Sequence, residues 1–255
     1  MIDFVRFITP EYVTSFFLLF IRFGALFTFM PFYSHQSIPI QVKSALAFYM
    51  TLLFFPQIQN IQGEVELVWL AGAIVGELVL GLFAGLILQI VISVLMFAGE
   101  QMAFIMGFTL ANTMDPQTNT QVPILSGFFN FLALMILLAL DVHHHILEFI
   151  GHSLEEIPPG FITYSDNVLD YIIKAMSHFF VIGFSISFPI IALSLLADII
   201  FGMLMKTMPQ FNLLVIGFPI KIAVSFAVLI AILTAIMHNF KIEFLEAFNS
   251  LQLLF

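Results

Sequence analysis

From near Glu66 to about Met106 the chain runs without a proline, interrupted only by glycines and by Glu77 and Glu100. Read as one helix rising about 1.5 Å per residue, that stretch is about 60 Å long, about twice the hydrocarbon thickness of a bilayer. Such a helix has to bend, break or protrude. An ordinary soluble core would not absorb it either, because 61% of the chain is hydrophobic and 9% is charged, against about 25% charged in a typical soluble domain. Further apolar windows, Pro116 to Leu140, Ala175 to Ala197 and Ile222 to Phe240, each approach or exceed the roughly 20 residues that cross a membrane as a helix. Together they predict an all-α protein of integral-membrane type, built from long, kinked apolar helices.

Helix punctuation divides the rest. Tyr12 to Met30 reads as a first helix that contains Arg22. Pro31 and Pro39 bracket a break before a second helix from about Gln41 to Phe55, which Pro56 ends. Ile124 to Ile150 is expected to form one helix, Val168 to Met205 another, and Val215 to Met237 the last strongly apolar one. The connection Glu155 to Asn167, with two prolines and a glycine, is expected to face solvent. Residues 1–255 read as a single domain with an amphipathic tail at 240–255. In that tail Phe240, Phe244, Phe248, Leu251 and Phe255 follow helical spacing, while Lys241, Glu243 and Glu246 take other faces. The N-terminus, with Arg6 after Asp3 and no small-residue cleavage pattern, reads as mature sequence.

Several function classes fall away. Without cysteine there is neither a disulfide nor a thiolate ligand or nucleophile. A net charge of -9 with seven scattered cations offers no nucleic-acid surface, and gives the positive-inside rule little to count. No phosphate loop, activated nucleophile or paired-carboxylate site emerges, so neither catalysis nor a cofactor is expected. The cluster Asp141 to His152 raises a metal hypothesis, but His143, His144 and His145 point in three directions on a helix. His144 pairs better with Glu148 at four residues and His145 with His152 at seven, which reads as a helix end at a membrane interface.

Three features carry more. Gly72, Gly76, Gly81 and Gly85 form two Gly-x-x-x-Gly pairs whose faces lie nearly opposite one another, so the helix can be approached closely from both sides. Glu77 falls near the Gly81–Gly85 face, where a carboxylate must find a partner, water or a proton path, and Asp198 and Glu100 raise the same question. The third feature is Met106 to Pro123, "MGFTLANTMDPQTNTQVP", polar yet carrying the single charge of Asp115 between apolar helices. Irregular polar backbone in that setting lies outside lipid, is buried in protein, or lines a passage. With Met102, Met106 and Met114 around it, the stretch suits a soft, adaptable closure.

"GELVLGLFAG" at Gly76 to Gly85, "GE" at Gly99 and Glu100, "MGFTLANTMDP" at Met106 to Pro116 and "MPQFNLLVIGFPIKI" at Met208 to Ile222 resemble the FliR family of flagellar export-gate proteins and their virulence-secretion relatives. Order, spacing and length agree over essentially the whole chain, and the flagellar branch fits better. The sequence departs at Asp141-Val142-His143-His144, where the family commonly has an Asn-Gly-His-type turn, so no helix-ending turn is carried over.

The resemblance implies helical hairpins in a hetero-oligomeric, funnel-shaped gate in the bacterial inner membrane at the flagellar basal body. One copy of this subunit would join several copies of two smaller export-gate membrane proteins, together with the export switch protein and membrane lipid. It would pass unfolded flagellar proteins, driven by an associated ATPase and the proton motive force. By position, Met106 to Pro123 is the pore plug. Phe108, Leu110 and Met114 would close it, Thr109, Asn112 and Asn119 would hydrogen-bond as it rearranges, and Gly107 and Pro116 would act as hinge and stop, with Met106 and Asp115 completing the gate set. Gly72, Gly76, Glu77, Gly81, Gly85, Glu100, Pro209, Gln210, Asn212, Pro219 and Lys221 would serve packing and assembly. The competing reading is a small-solute transporter or channel that uses Glu77 and Asp198 as midplane carboxylates.

Overall fold

The computed structural model describes residues 10–30, 33, 38–58, 66–108, 123–160, 168–208 and 213–252. The protein is all-α, with no strand among the described residues. The helices are α1 (Pro10–Phe29), α2 (Ile40–Phe54), α3 (Leu67–Met106), α4 (Ile124–Ala139), α5 (Val142–Glu156), α6 (Val168–Thr207) and α7 (Phe218–Gln252). A 3₁₀ turn, Phe55–Gln57, closes α2 at Pro56, and a π-turn, Leu213–Gly217, leads into α7. Among the described residues, four helical stretches are long and apolar enough to cross a membrane: Pro10–Phe29, Leu67–Met106, Tyr171–Thr207 and Val215–Asn249. The proline-free stretch is thus a single helix of 40 residues.

Two expectations are corrected. Ile124 to Ile150 is not one helix: α4 ends at Ala139 and α5 starts at Val142, with Asp141 at φ 53° between them. Asp is one of the few non-glycine residues that take the left-handed region without large cost, and its carbonyl accepts from the backbone N–H of His144 and His145 to start α5. The turn therefore needs no glycine at Val142, which is buried instead. Nor does all of Glu155 to Asn167 face solvent, because Ile157, Pro159 and Gly160 are buried. Residues 161–167 lie outside the described set.

The chain forms two compact units. Residues 1–90, 141–173 and 247–255 make the first. In it α1 and α2 pack through aromatic edges: Phe16 meets Phe48 at 5.7 Å and Phe55 at 5.5 Å between ring centroids. Edge-to-face pairs of this kind add about 0.5–1.5 kcal/mol to the burial itself. Hydroxyls in these apolar helices are satisfied locally, Ser15 by the Glu11 carbonyl and Thr51 by that of Ala47, so they leave no polar orphan. The tail continues α7 without a break, and its Phe248 ring is buried against Phe149 and His145.

Residues 91–140 and 174–246 make the second unit. At Gly99 a Cβ would lie 2.9 Å from the Ser126 Cα, so α3 and α4 touch nearly backbone to backbone. Ser126 donates across that contact to the Met96 carbonyl at 3.1 Å. Helices α6 and α7 run antiparallel: Asp198 meets Lys221, and one turn back on α6 Ser194 meets Ser225 one turn forward on α7. His178 meets Glu243 at 2.8 Å farther along the same pair.

Candidate functional site

The end of α3 combines a left-handed glycine turn with an apolar cleft. Its last residue, Met106, is fully buried. Gly107 then takes φ +90°, a region that side chains avoid and glycine enters freely, and its N–H bonds the Phe104 carbonyl at 3.1 Å. A Cβ here would also sit 3.1 Å from the Phe218 ring. The next residue, Phe108, presents its ring edge-on to Phe226, with centroids 5.7 Å apart. Phe108 also lines a cleft of about 400 Å³ with Ile124, Leu125, Phe128, Phe226, Leu229, Ile230 and Leu233. Each of these residues is apolar, so the cleft rewards hydrophobic surface and offers no side-chain hydrogen bond. Thr109, Leu110, Asn112, Met114, Asp115, Pro116 and Asn119 lie outside the described residues.

In the first unit the glycine face and the Glu77 carboxylate belong to one structure. A Cβ on Gly81 would stand 2.5 Å from the Arg22 carbonyl oxygen, and one on Gly85 2.7 Å from the Phe29 Cβ. Small residues thus let α3 lie directly on α1. Gly76 is buried on the same helix and Gly72 half-buried. That close approach brings Glu77, 1% exposed, to Arg22, 4% exposed. Arg22 donates from Nε to Glu77 Oε2, and from Nη2 to Oε1 at 3.0 Å. The same Nη2 reaches the Ile157 carbonyl at 3.0 Å and Nη1 the Ser153 carbonyl at 3.4 Å. Gly160, at φ +87°, donates its N–H to Glu77 Oε1 at 2.9 Å.

The buried ion pair is therefore closed by the C-terminal carbonyls of α5 and by the turn after it. A guanidinium beside those carbonyls also meets the negative end of the α5 dipole. Trp69 covers the turn so tightly that a Cβ on Gly160 would lie 2.8 Å from its ring. Arg22, Ile157 and Gly160 were not singled out from sequence. Burial of "IPPG" has no local signature, and Arg22 stands 55 positions from Glu77.

The other expected positions scatter. Lys221 is buried and bonds both Asp198 oxygens at 2.8 Å. Both carboxylates that the transporter reading needs are thus held by cations. Glu100 and Pro219 are exposed. Pro209, Gln210 and Asn212 lie outside the described residues. His144, His145 and His152 on α5 are exposed: His144 lies 3.8 Å from Asp141, His145 3.6 Å from Glu148 and His152 3.7 Å from Glu155. Among the described residues no group of three or more His, Asp or Glu could hold a metal ion. Close contacts at Gly183 and Ser126 also went unread: a Cβ on Gly183 would lie 2.5 Å from the Phe97 ring.

The family model described as bacterial export proteins, family 1, matches residues 13–247. The chain belongs to that family. It is 34% identical over 226 residues to the flagellar biosynthetic protein FliR of Bacillus subtilis (strain 168), covering 87% of each chain. To the FliR protein of Escherichia coli (strain K12) it is 28% identical over 234 residues, 91% of this chain and 88% of the other. To that of Aquifex aeolicus (strain VF5) it is 28% identical over 233 residues, 88% of each. The FliR resemblance read from the motifs is thereby borne out, and the family match includes most of α1, the whole of α3 and α6, and α7 up to residue 247.

Proposed function

We propose that this chain is a non-enzymatic, pore-forming subunit of the flagellar export gate, passing unfolded flagellar proteins across the bacterial inner membrane at the basal body. It works in a hetero-oligomer with the two smaller export-gate membrane proteins and the export switch protein, and takes no cofactor. Met106 to Pro123 is the plug of the passage, with Leu110 and Met114 extending the apolar closure that Phe108 begins. Pro209, Gln210 and Asn212 shape the connection between α6 and α7 near neighbouring subunits, while Glu100 and Pro219 meet those neighbours from exposed positions. Residues 1–255 act as one export-gate domain.

The observation that carries this reading is the pairing at Gly107 and Phe108. A helix of 40 residues stops at a glycine with φ +90°, and the next side chain lines a wholly apolar cleft. An apolar contact without directional bonds can open for an unfolded chain of any sequence and close again behind it. The small-solute reading draws no support from Glu77 and Asp198, each neutralised by a buried cation.

Deleting Phe108 to Met114 in cells tests the plug, with gate assembly followed by co-purification and with ion leakage and flagellar export as readouts. Assembled complexes that leak are expected. Assembled complexes that stay tight and still export would reduce the stretch to an ordinary connection.

A further inference from the structure

A guanidinium carries five N–H donors and stays charged, so it cannot shed a proton where an acceptor is missing. On Arg22, Nε donates to Glu77 Oε2, and Nη2 donates to Glu77 Oε1 and to the Ile157 carbonyl, both at 3.0 Å. Nη1 fares worse. Its contact with the Ser153 carbonyl is stretched to 3.4 Å, beyond the usual range for a nitrogen donor, and the Ile157 N–H already donates to that oxygen at 3.0 Å. The second Nη1 N–H has no acceptor among the described residues. With Arg22 only 4% exposed, bulk solvent does little to relieve it, and an unmade bond from a buried charged group is expensive.

Beside Arg22 lies a hollow of about 20 Å³ between α1, α3 and α5, lined wholly by residues of the first unit. Arg22 and Ser153 are the polar side chains that line it; the other walls are Phe, Leu, Ile and Ala side chains and Gly81. The Ser153 hydroxyl likewise has no partner among the described residues, whereas Ser15 and Ser126 donate to the carbonyls of Glu11 and Met96.

Size and chemistry select the ligand. A water needs about 10–15 Å³ of such space and at least two polar partners, so the hollow admits one water and nothing larger. An anion is ruled out by charge as well, because Glu77 already neutralises Arg22. Nη1 requires an acceptor and the Ser153 oxygen can accept, and water both accepts and donates.

We infer that this hollow is a binding site for a single ordered water, which accepts from Arg22 Nη1 and donates to Ser153 Oγ. Glu77 on α3 holds the Nε–Nη2 edge of the guanidinium, and the water ties its remaining corner to α5. The site lies within one unit and is independent of the gate reading.

The test is a cryo-EM map of the complete export complex, at a resolution that shows ordered water, for wild type and for Ser153→Ala. In wild type a density peak should lie about 2.7–3.2 Å from Arg22 Nη1 and within hydrogen-bond distance of Ser153 Oγ. In Ser153→Ala that peak should weaken at least twofold, and the unfolding midpoint of the complex should fall, although alanine is the better helix former and would by itself raise it. A wild-type map without the peak overturns the inference, and so does side-chain density in the hollow, because Nη1 would then have a protein acceptor. A peak that Ser153→Ala leaves at full height, or a midpoint that rises, also overturns it. Should Ser153→Ala not assemble, the wild-type peak alone decides.

Discussion

Lys221 on α7 holds both carboxylate oxygens of Asp198 on α6 at 2.8 Å, yet the two partners are unequally buried, with 5% of the lysine side chain exposed against 48% of the aspartate. Loss of the aspartate leaves an ammonium enclosed with no counter-charge. Loss of the lysine leaves a carboxylate that can still be solvated or protonated from its open side.

Asp198→Ala should accordingly be the more destabilising change, costing about 2–3 kcal/mol for a buried group left without its partner. Lys221→Met should cost about 1 kcal/mol, because an apolar side chain of similar length fills the lysine's place. Thermal unfolding of the detergent-purified complex separates the two. Equal losses would mean that the open side of Asp198 is itself sealed in the assembly.

Glycines on the long helices should divide by what a methyl group would meet. Gly81→Ala drives a Cβ against the Arg22 carbonyl, a backbone atom that cannot turn aside, and should cost about 1–3 kcal/mol as an overpacked contact. Gly202→Ala on α6 has nothing within 4 Å and should gain up to about 1 kcal/mol of helix propensity. Unfolding midpoints moving in opposite directions support the packing described, and a harmless Gly81→Ala would refute it.

What could be read in advance tracks how local each signal is. Helix positions and the close-packed glycine face on α3 depend on spacings of a few residues, and those spacings are visible in one chain. The mate of Glu77 is not, because Arg22 lies on another helix and any of seven cations had an equal formal claim. The burial of Ile157 to Gly160 ran against composition: a segment with two prolines and a glycine looks like a solvent turn, and its backbone groups become assets only once a desolvated ion pair needs them. The break at Asp141 was missed for a different reason. Glycine was sought at Val142, while an aspartate one position earlier can take the same left-handed conformation. At the candidate site, Gly107 and Phe108 were named from sequence. Phe226 and Phe218, which give them something to close against, sit in the apolar stretch of α7, where many phenylalanines look alike.

Gly183 and Phe97 provide a test in which two defects should partly cancel. A methyl group at position 183 would stand 2.5 Å from the Phe97 ring, and that ring also touches Phe179, Phe180 and Phe184 at 5.2–5.6 Å between centroids. Gly183→Ala alone should cost about 1–3 kcal/mol, and Phe97→Leu alone a similar amount through lost ring contacts. Combined, the shorter leucine makes room for the methyl group, so the double variant should lose less than the sum by about 0.5–3 kcal/mol, the range for residues in contact. Strict additivity in a double-mutant cycle would place the two side chains apart.

Gly107 joins a turn that favours glycine to closure, and its substitutions should therefore be read out as leakage. At φ +90° an L-residue pays roughly 1–2 kcal/mol, and its Cβ also meets the Phe218 ring at 3.1 Å. The two causes separate by substitution. Gly107→Ala in a Phe218→Leu background relieves the ring contact and keeps the strain, whereas Gly107→Ala alone carries both. If the glycine turn directs Phe108 toward Phe226, both variants should leak ions in assembled complexes, the single one more. Phe218→Leu alone should remain close to wild type. A Gly107→Ala gate that assembles and stays tight would show that the turn tolerates another backbone conformation, and that Phe108 closes nothing that depends on its direction.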